Sequence, residues 1–188
     1  MGRQKSYCRE DLLEKAMMLF WEKGYSKTSM ADLALATGVD KKCLFREFLN
    51  KETLFEEVLE LYTAWDYQHF ETLFNTKPLG LSNIIKFLHG MTVDHGGRGC
   101  LLNKSIVQRN LITTKHFAII KKTITHLEAS FLKNLKAAKK NGELKNNSTI
   151  EELAKYLVYS TQGISTMSLY ESVEGNVDKV VKSIIASL

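Results

Sequence analysis

Thr28–Lys51 reads TSMADLALATGVDKKCLFREFLNK, two short helices joined by a tight turn. Ser29 is a good N-cap, and Asp32 three residues on completes an S-x-x-D box, so the spacing predicts a helix from Met30. Met30, Leu33 and Ala34 then share one apolar face. Gly38 stops that helix, because glycine takes a left-handed C-cap conformation without steric cost. Val39 plugs the turn, Asp40 caps a second helix, and Leu44 and Phe48 set a second apolar face four residues apart. Lys41, Lys42, Cys43 and Arg46 are left pointing away from the packing. A short helix with three cations outward is what a helix-turn-helix offers to the major groove of DNA.

Outward from this stretch, helical spacing dominates the chain. Arg9 to Lys23 forms an amphipathic helix with Leu12, Leu13, Ala16, Leu19 and Phe20 inward, ended by Gly24. It closes a three-helix core with Leu33, Leu44 and Phe48. Lys51 to Asn75 is predicted as a long helix, roughly 36 Å at ~1.5 Å per residue, that joins the reading unit to the remainder. Pro78 and Gly80 break it, and Ser82 is read as the cap of a fifth helix. His95-Gly96-Gly97-Arg98-Gly99 is the most loop-like stretch. Helical spacing resumes over Cys100–Leu111, over the basic Lys115–Asn141, after a Thr149/Glu152 capping box, and over Val177–Leu188. The expected fold is all-α, about nine helices: an N-terminal helix-turn-helix domain (1–55) and a larger ligand-binding and dimerisation domain (56–188).

Composition agrees with that class. The chain has 188 residues, 44% hydrophobic and 25% charged, with a single proline. The formal charge of +5 is compatible with a polyanionic partner. Residues 1–51 hold ten Lys/Arg against seven Asp/Glu, and 121–145 hold seven Lys against two Glu, the latter read as the solvated face of a long helix. Cys8, Cys43 and Cys100 are odd in number and lack a C-x-x-C pair, which argues against a disulfide framework or structural zinc and fits a reducing cytoplasm. No segment approaches the ~20 apolar residues of a membrane span. Gly2, Arg3 and Lys5 read as a flexible basic arm. An enzyme is the rival class, since Asp66-x-x-His69 faintly resembles a bundle metal motif. A di-metal site needs a second such motif and two further carboxylates, and none is evident. No enzymatic activity and no metal or cofactor are expected.

Leu19-Phe20, Gly24-Tyr25, Thr28-Ser29, Leu33-Ala34, Gly38-Val39, Leu44-Phe45, Phe48 and Lys51-Glu52-Thr53-Leu54-Phe55 together resemble the TetR family of bacterial transcriptional regulators. Arg98-Gly99-Cys100-Leu101-Leu102-Asn103 also resembles a segment at the start of the sixth helix in one branch of that family. The resemblance implies a homodimer of nine-helix subunits, in which helices one to three read a palindromic double-stranded DNA operator. The remaining helices would form a ligand cavity and a four-helix dimer interface. Most members are repressors released by a small-molecule effector. By position, Ser29, Lys41, Lys42, Cys43, Phe45, Arg46 and Lys51 are the candidate DNA contacts. Phe45 stands where the family usually has Tyr, Cys43 where Thr or Ser is common, and Glu47 where a phosphate-binding side chain often lies.

For the remaining sites, Trp65, His69, Phe87, Met91, Leu102, Ile106, Phe117, Ile120 and Gln162 lie on helices expected to surround the ligand cavity. Cys100, at a helix start beside Arg98 and near Lys104, is a candidate sensor of electrophiles or oxidants, since both features favour a thiolate. Val177, Val180, Val181, Ile184, Ile185 and Leu188 cover more than one face of the last helix. With Leu153, Leu157 and Ile164 they are expected to form the dimer interface.

Overall fold

The structure, a computed structural model, describes residues 7–91, 98–145, 147–167 and 176–188. Among them lie nine helices and no strand: α1 (Arg9–Lys23), α2 (Met30–Thr37), α3 (Lys41–Phe48), α4 (Lys51–Asn75), α5 (Leu81–Gly90), α6 (Leu101–Val107), α7 (Thr114–Lys140), α8 (Ile150–Met167) and α9 (Asn176–Ser187). Among the described residues no helix is long and apolar enough to cross a membrane. The basic arm at Gly2, Arg3 and Lys5 and the glycine-rich 95–97 lie outside the described residues.

The stop and start signals act as the sequence predicts around the first turn. Ser29 Oγ accepts the Asp32 amide at 3.1 Å, and the Asp32 carboxylate accepts the Ser29 amide at 2.9 Å. Gly38 ends α2 with φ 77°, in the left-handed region that favours glycine. Asp40 caps α3 through the Cys43 amide, and Asn50 caps α4 through the Thr53 amide at 2.8 Å. The Thr149/Glu152 box forms at the head of α8.

Two apolar cores are threaded by α4. The first gathers Leu12, Ala16 and Phe20 of α1, Leu33 of α2, Leu44 and Phe48 of α3, and Leu54, Phe55 and Val58 of α4. It continues without a gap into Leu101, Leu102 and Ile120 of α6 and α7. The second packs Phe74, Phe87 and Phe131 against α8 and α9, with ring centroids 4.9–5.5 Å apart. Two buried asparagines pin the end of α4 to α5 and α7. Asn134 donates to the Phe74 carbonyl at 3.0 Å and accepts from the Gly80 amide and from Asn83. Both would cost several kcal/mol of desolvation if unpaired, about 2–7 per amide, so this turn is held in one geometry.

Three expectations are corrected. Ser82 does not cap α5; Gly80 occupies that position, and the Leu81 amide is instead satisfied by the Glu143 carboxylate at 2.7 Å. The sixth helix ends at Val107, with Cys100 as its N-cap rather than its first turn. Leu153, Leu157, Ile164, Val181, Ile184 and Leu188 are each at most 6% exposed, because they pack within this chain's own second core instead of standing on an outer face. Val177 and Ile185 are half-buried against the same core, and Val180 alone of the nine is well exposed.

Candidate nucleic-acid interface and internal cavity

On α3 the buried side is Leu44, Phe48 and, against expectation, Cys43, which is 7% exposed. Cys43 is therefore covered, its sulfur accepting from Arg46 at 3.6 Å. Lys41, Lys42 and Arg46 are exposed, and Phe45 stands 46% exposed beside them. Ser29 is exposed at the head of α2. The outward face of the two helices is thus basic, with one aromatic.

Glu47 does not add the expected negative charge to that face. Its side chain is only 6% exposed, because the Tyr7 hydroxyl donates to it at 2.7 Å and Arg9 lies 3.9 Å away. Arg9 also pairs with Glu57 at 2.7 Å and lies over the Phe48 ring. Arg46 in turn donates to the Tyr7 oxygen at 2.8 Å. Cys43 and Glu47, partners of its neutral hydroxyl, push the Tyr7 pKa up from 10.0 to about 12. Tyr7 and Arg9 thus position the recognition helix's Arg46 and neutralise its one acid. Sequence spacing missed them, since they lie about 40 residues away along the chain.

Lys51 is also engaged. Its ammonium donates to the Tyr25 and Thr28 carbonyls at 2.9 Å each and lies 4.2 Å over the Tyr25 ring. Burial lowers its pKa, opposed by Glu52. The side chain staples the α1–α2 connection to α4, where an open phosphate ligand was expected.

The same connection is held from the other side by α6. Lys104 donates to the Trp21 carbonyl at 2.6 Å and the Glu22 carbonyl at 3.2 Å, filling the C-terminal end of α1. Trp21 Nε1 donates to the Gly99 carbonyl at 2.6 Å, and the Ser26 amide donates to Gln108 at 3.0 Å. Nearby, the Thr113 amide donates to His116 Nδ1, so Nε2 carries the proton and donates to the Glu52 carbonyl at 2.8 Å.

An internal cavity of about 90 Å³ lies between α4, α5, α7 and α8, with α6 closing one side. Phe87, Leu102 and Gln162 line it as expected, joined by Phe70, Phe74, Leu127, His126 and Cys100. Met91, which packs on the second core, and Ile106, Phe117 and Ile120, which pack in the first, are not among the residues that line this cavity. Trp65 is 50% exposed against Trp21 and Tyr62, also off the cavity. The His69 side chain lies outside the described residues, as does that of Asp66. On the far side of α8 and α9 an open groove of about 520 Å³ runs between Tyr156, Gly163, Met167 and Val180. Tyr159 stands 73% exposed on the same helix.

Comparison with known proteins places these features in context. Residues 12–58 match the family model described as bacterial regulatory proteins, tetR family. The transcriptional repressor ComR of Escherichia coli K12 is 52% identical over 61 residues, 32% of this chain and 29% of that repressor's length. The uncharacterised regulator YezE of Bacillus subtilis 168 is 23% identical over 193 residues, 100% of this chain and 98% of YezE. Among solved structures, a cysteine mutant of the TetR-family regulator CifR complexed with 26bp double-strand operator DNA superposes with TM-score 0.78 at 20% identity, covering 99% of this chain and 97% of CifR. Reduced Escherichia coli NemR superposes with TM-score 0.80 at 19% identity, covering 94% of each chain.

Proposed function

Because the chain belongs to the tetR family of bacterial regulatory proteins, we propose that it binds a palindromic DNA operator as a homodimer in the cytoplasm and represses transcription until a small molecule occupies its cavity. The observation that carries this reading is the outer face of α3, where Lys41, Lys42 and Arg46 stand exposed on a helix capped at both flanks. Ser29 and Phe45 complete the contact surface. Cys43 accepts from Arg46 beside it, and Lys51 holds the connection that orients the helix. The reading unit is residues 1–55 and the regulatory unit 56–188.

Transmission runs through α6. Leu102, with Cys100 at its N-cap, faces the cavity, while Lys104 fills the end of α1. A ligand that shifts α6 pulls on α1 and changes the separation of the two reading units, which must sit ~34–36 Å apart on one DNA face. It does so only if it prefers one of the two separations. The exposed face of α8 and α9, with Tyr156, Tyr159, Met167 and Val180, is the proposed dimer surface. Footprinting the protein on the DNA upstream of its own gene, with and without cell extract, tests the scheme. A palindromic footprint lost with extract is the expected result, and a non-palindromic footprint or none refutes it.

A second reading makes Cys100 a thiol sensor on the same scaffold. It is favoured by the position of Cys100, which both lines the cavity and stands at the N-cap position of α6. An adduct there would move the helix that holds α1. Treating wild type and Cys100→Ser with N-ethylmaleimide decides it, since release that persists in the Ser variant ends the idea.

A further inference from the structure

Phe45 stands 46% exposed on the outer face of α3, although phenylalanine is among the residues most often buried. At ~100° per residue, the four exposed side chains of α3 cross its outer arc in the order Lys41, Phe45, Lys42, Arg46. Phe45 and Lys42 are therefore central on that face, and Lys41 and Arg46 stand at its edges. Arg46 is tied at its edge, donating to the Tyr7 oxygen at 2.8 Å and to the Cys43 sulfur at 3.6 Å.

A ring hemmed by three cations does not suit the centre of a protein interface, where charged residues are depleted. It suits a polyanion that presents an apolar group between its charges. The major groove of DNA is such a surface. Its rims are phosphates, its floor carries donors and acceptors, and the apolar group on that floor is the 5-methyl of thymine. Elsewhere on the floor a phenyl ring would cover a donor or acceptor and strip it of water without replacing the hydrogen bond.

We propose that Phe45 reads a thymine methyl in each operator half-site, so that the DNA this protein selects carries a thymine under the middle of α3. This rests on the operator-binding reading above and specifies what the operator contains. Burying one methyl corresponds to about a fourfold gain in affinity, and the two half-sites of a dimer together to about fifteenfold.

The full-length protein is used to select binding sites from a random-sequence duplex pool. The selected duplex is then remade with deoxyuridine in place of chosen thymines, which removes the methyl and keeps every donor and acceptor. Fluorescence anisotropy compares these duplexes on wild type and Phe45→Ala, with circular dichroism checking the fold. Phe45→Gln serves in place of the alanine variant if that one does not fold. Deoxyuridine at one symmetry-related pair of positions is expected to lower wild-type affinity about fifteenfold and to change binding by the variant less than about twofold. Full tolerance of deoxyuridine at every position in wild type, or a sensitivity that the folded variant keeps entire, overturns the proposal. The two readings fail differently. A selection that returns no consensus refutes operator binding and this inference with it, whereas a palindromic consensus with no deoxyuridine-sensitive position refutes the role of Phe45 alone.

Discussion

Tyr7 organises the basic face more than any lysine on it does. Its hydroxyl lies between the Glu47 carboxylate at 2.7 Å and the Arg46 guanidinium at 2.8 Å. Tyr7→Phe is expected to weaken operator binding several-fold in fluorescence anisotropy, because Arg46 loses its anchor and Glu47 a donor. The raised pKa sets the sign at high pH. The neutral phenol is the form the fold holds, so its contribution is complete below about pH 10 and lost as pH rises through about 12. Lys51 gives a contrasting test. Lys51→Met leaves the Tyr25 and Thr28 carbonyls without their donor and is expected to lower stability by about 1–2 kcal/mol in urea, with the salt slope of DNA binding unchanged. A slope reduced by about one would instead make Lys51 a phosphate contact. The sequence shows that α3 is basic and where it begins, since both are local facts. It could not show that Cys43 and Glu47 turn inward, because the residues that draw Glu47 in, Tyr7 and Arg9, belong to a different helix and its approach.

At the scale of elements, helices whose ends are capped by near neighbours were legible, and those capped from afar were not. The Ser29/Asp32 and Thr149/Glu152 boxes close within three residues, so their helix starts could be read directly. The start of α5 depends on Glu143, 62 residues on, and nothing near Gly80 announces it. All three carboxylates sit below their ordinary range. The Ser29 hydroxyl and amide stabilise ionised Asp32, the Thr149 amide and hydroxyl stabilise Glu152, and the Leu81 amide and Asn141 side chain stabilise Glu143. A depressed folded pKa contributes stability above about pH 4 that is lost as pH falls below it. The triple variant Asp32→Asn, Glu143→Gln, Glu152→Gln should therefore melt lower than wild type at neutral pH. Its Tm should also depend less on pH between about 5 and 3. The α6–α1 joint can be probed in the same way. Lys104→Met is expected to speed amide hydrogen exchange in the last turn of α1, where Trp21 and Glu22 lose their cap, while α7 exchange stays unchanged.

For the whole molecule, the apolar excess of the last two helices was visible in the sequence, but the direction it faces was not. Periodicity tells how many sides of a helix are apolar. It does not tell which side the chain's own core will take. In this fold the core takes Leu153, Leu157, Val181, Ile184 and Leu188, which leaves Tyr156, Tyr159, Met167 and Val180 outside. A stable homodimer buries about 800 Å² per partner around a few large anchors, and these four are the large apolar side chains exposed on described α8 and α9. The two kinds of position therefore predict different failures. Tyr159→Arg combined with Val180→Glu should shift sedimentation from dimer to monomer while helical content at 25 °C stays near wild type, because neither side chain supports the core. Leu157→Arg, at 0% exposure, should instead unfold the regulatory unit and lose helical content before any dimer can form. Operator binding should fall in both, but for separate reasons. The monomer retains one intact reading unit and loses the second half-site, so its weak residual binding should respond to a single half-site as it does to the whole palindrome. If the double variant remains dimeric, two-fold pairing uses another face of the molecule, and that face sets the spacing of the two reading units.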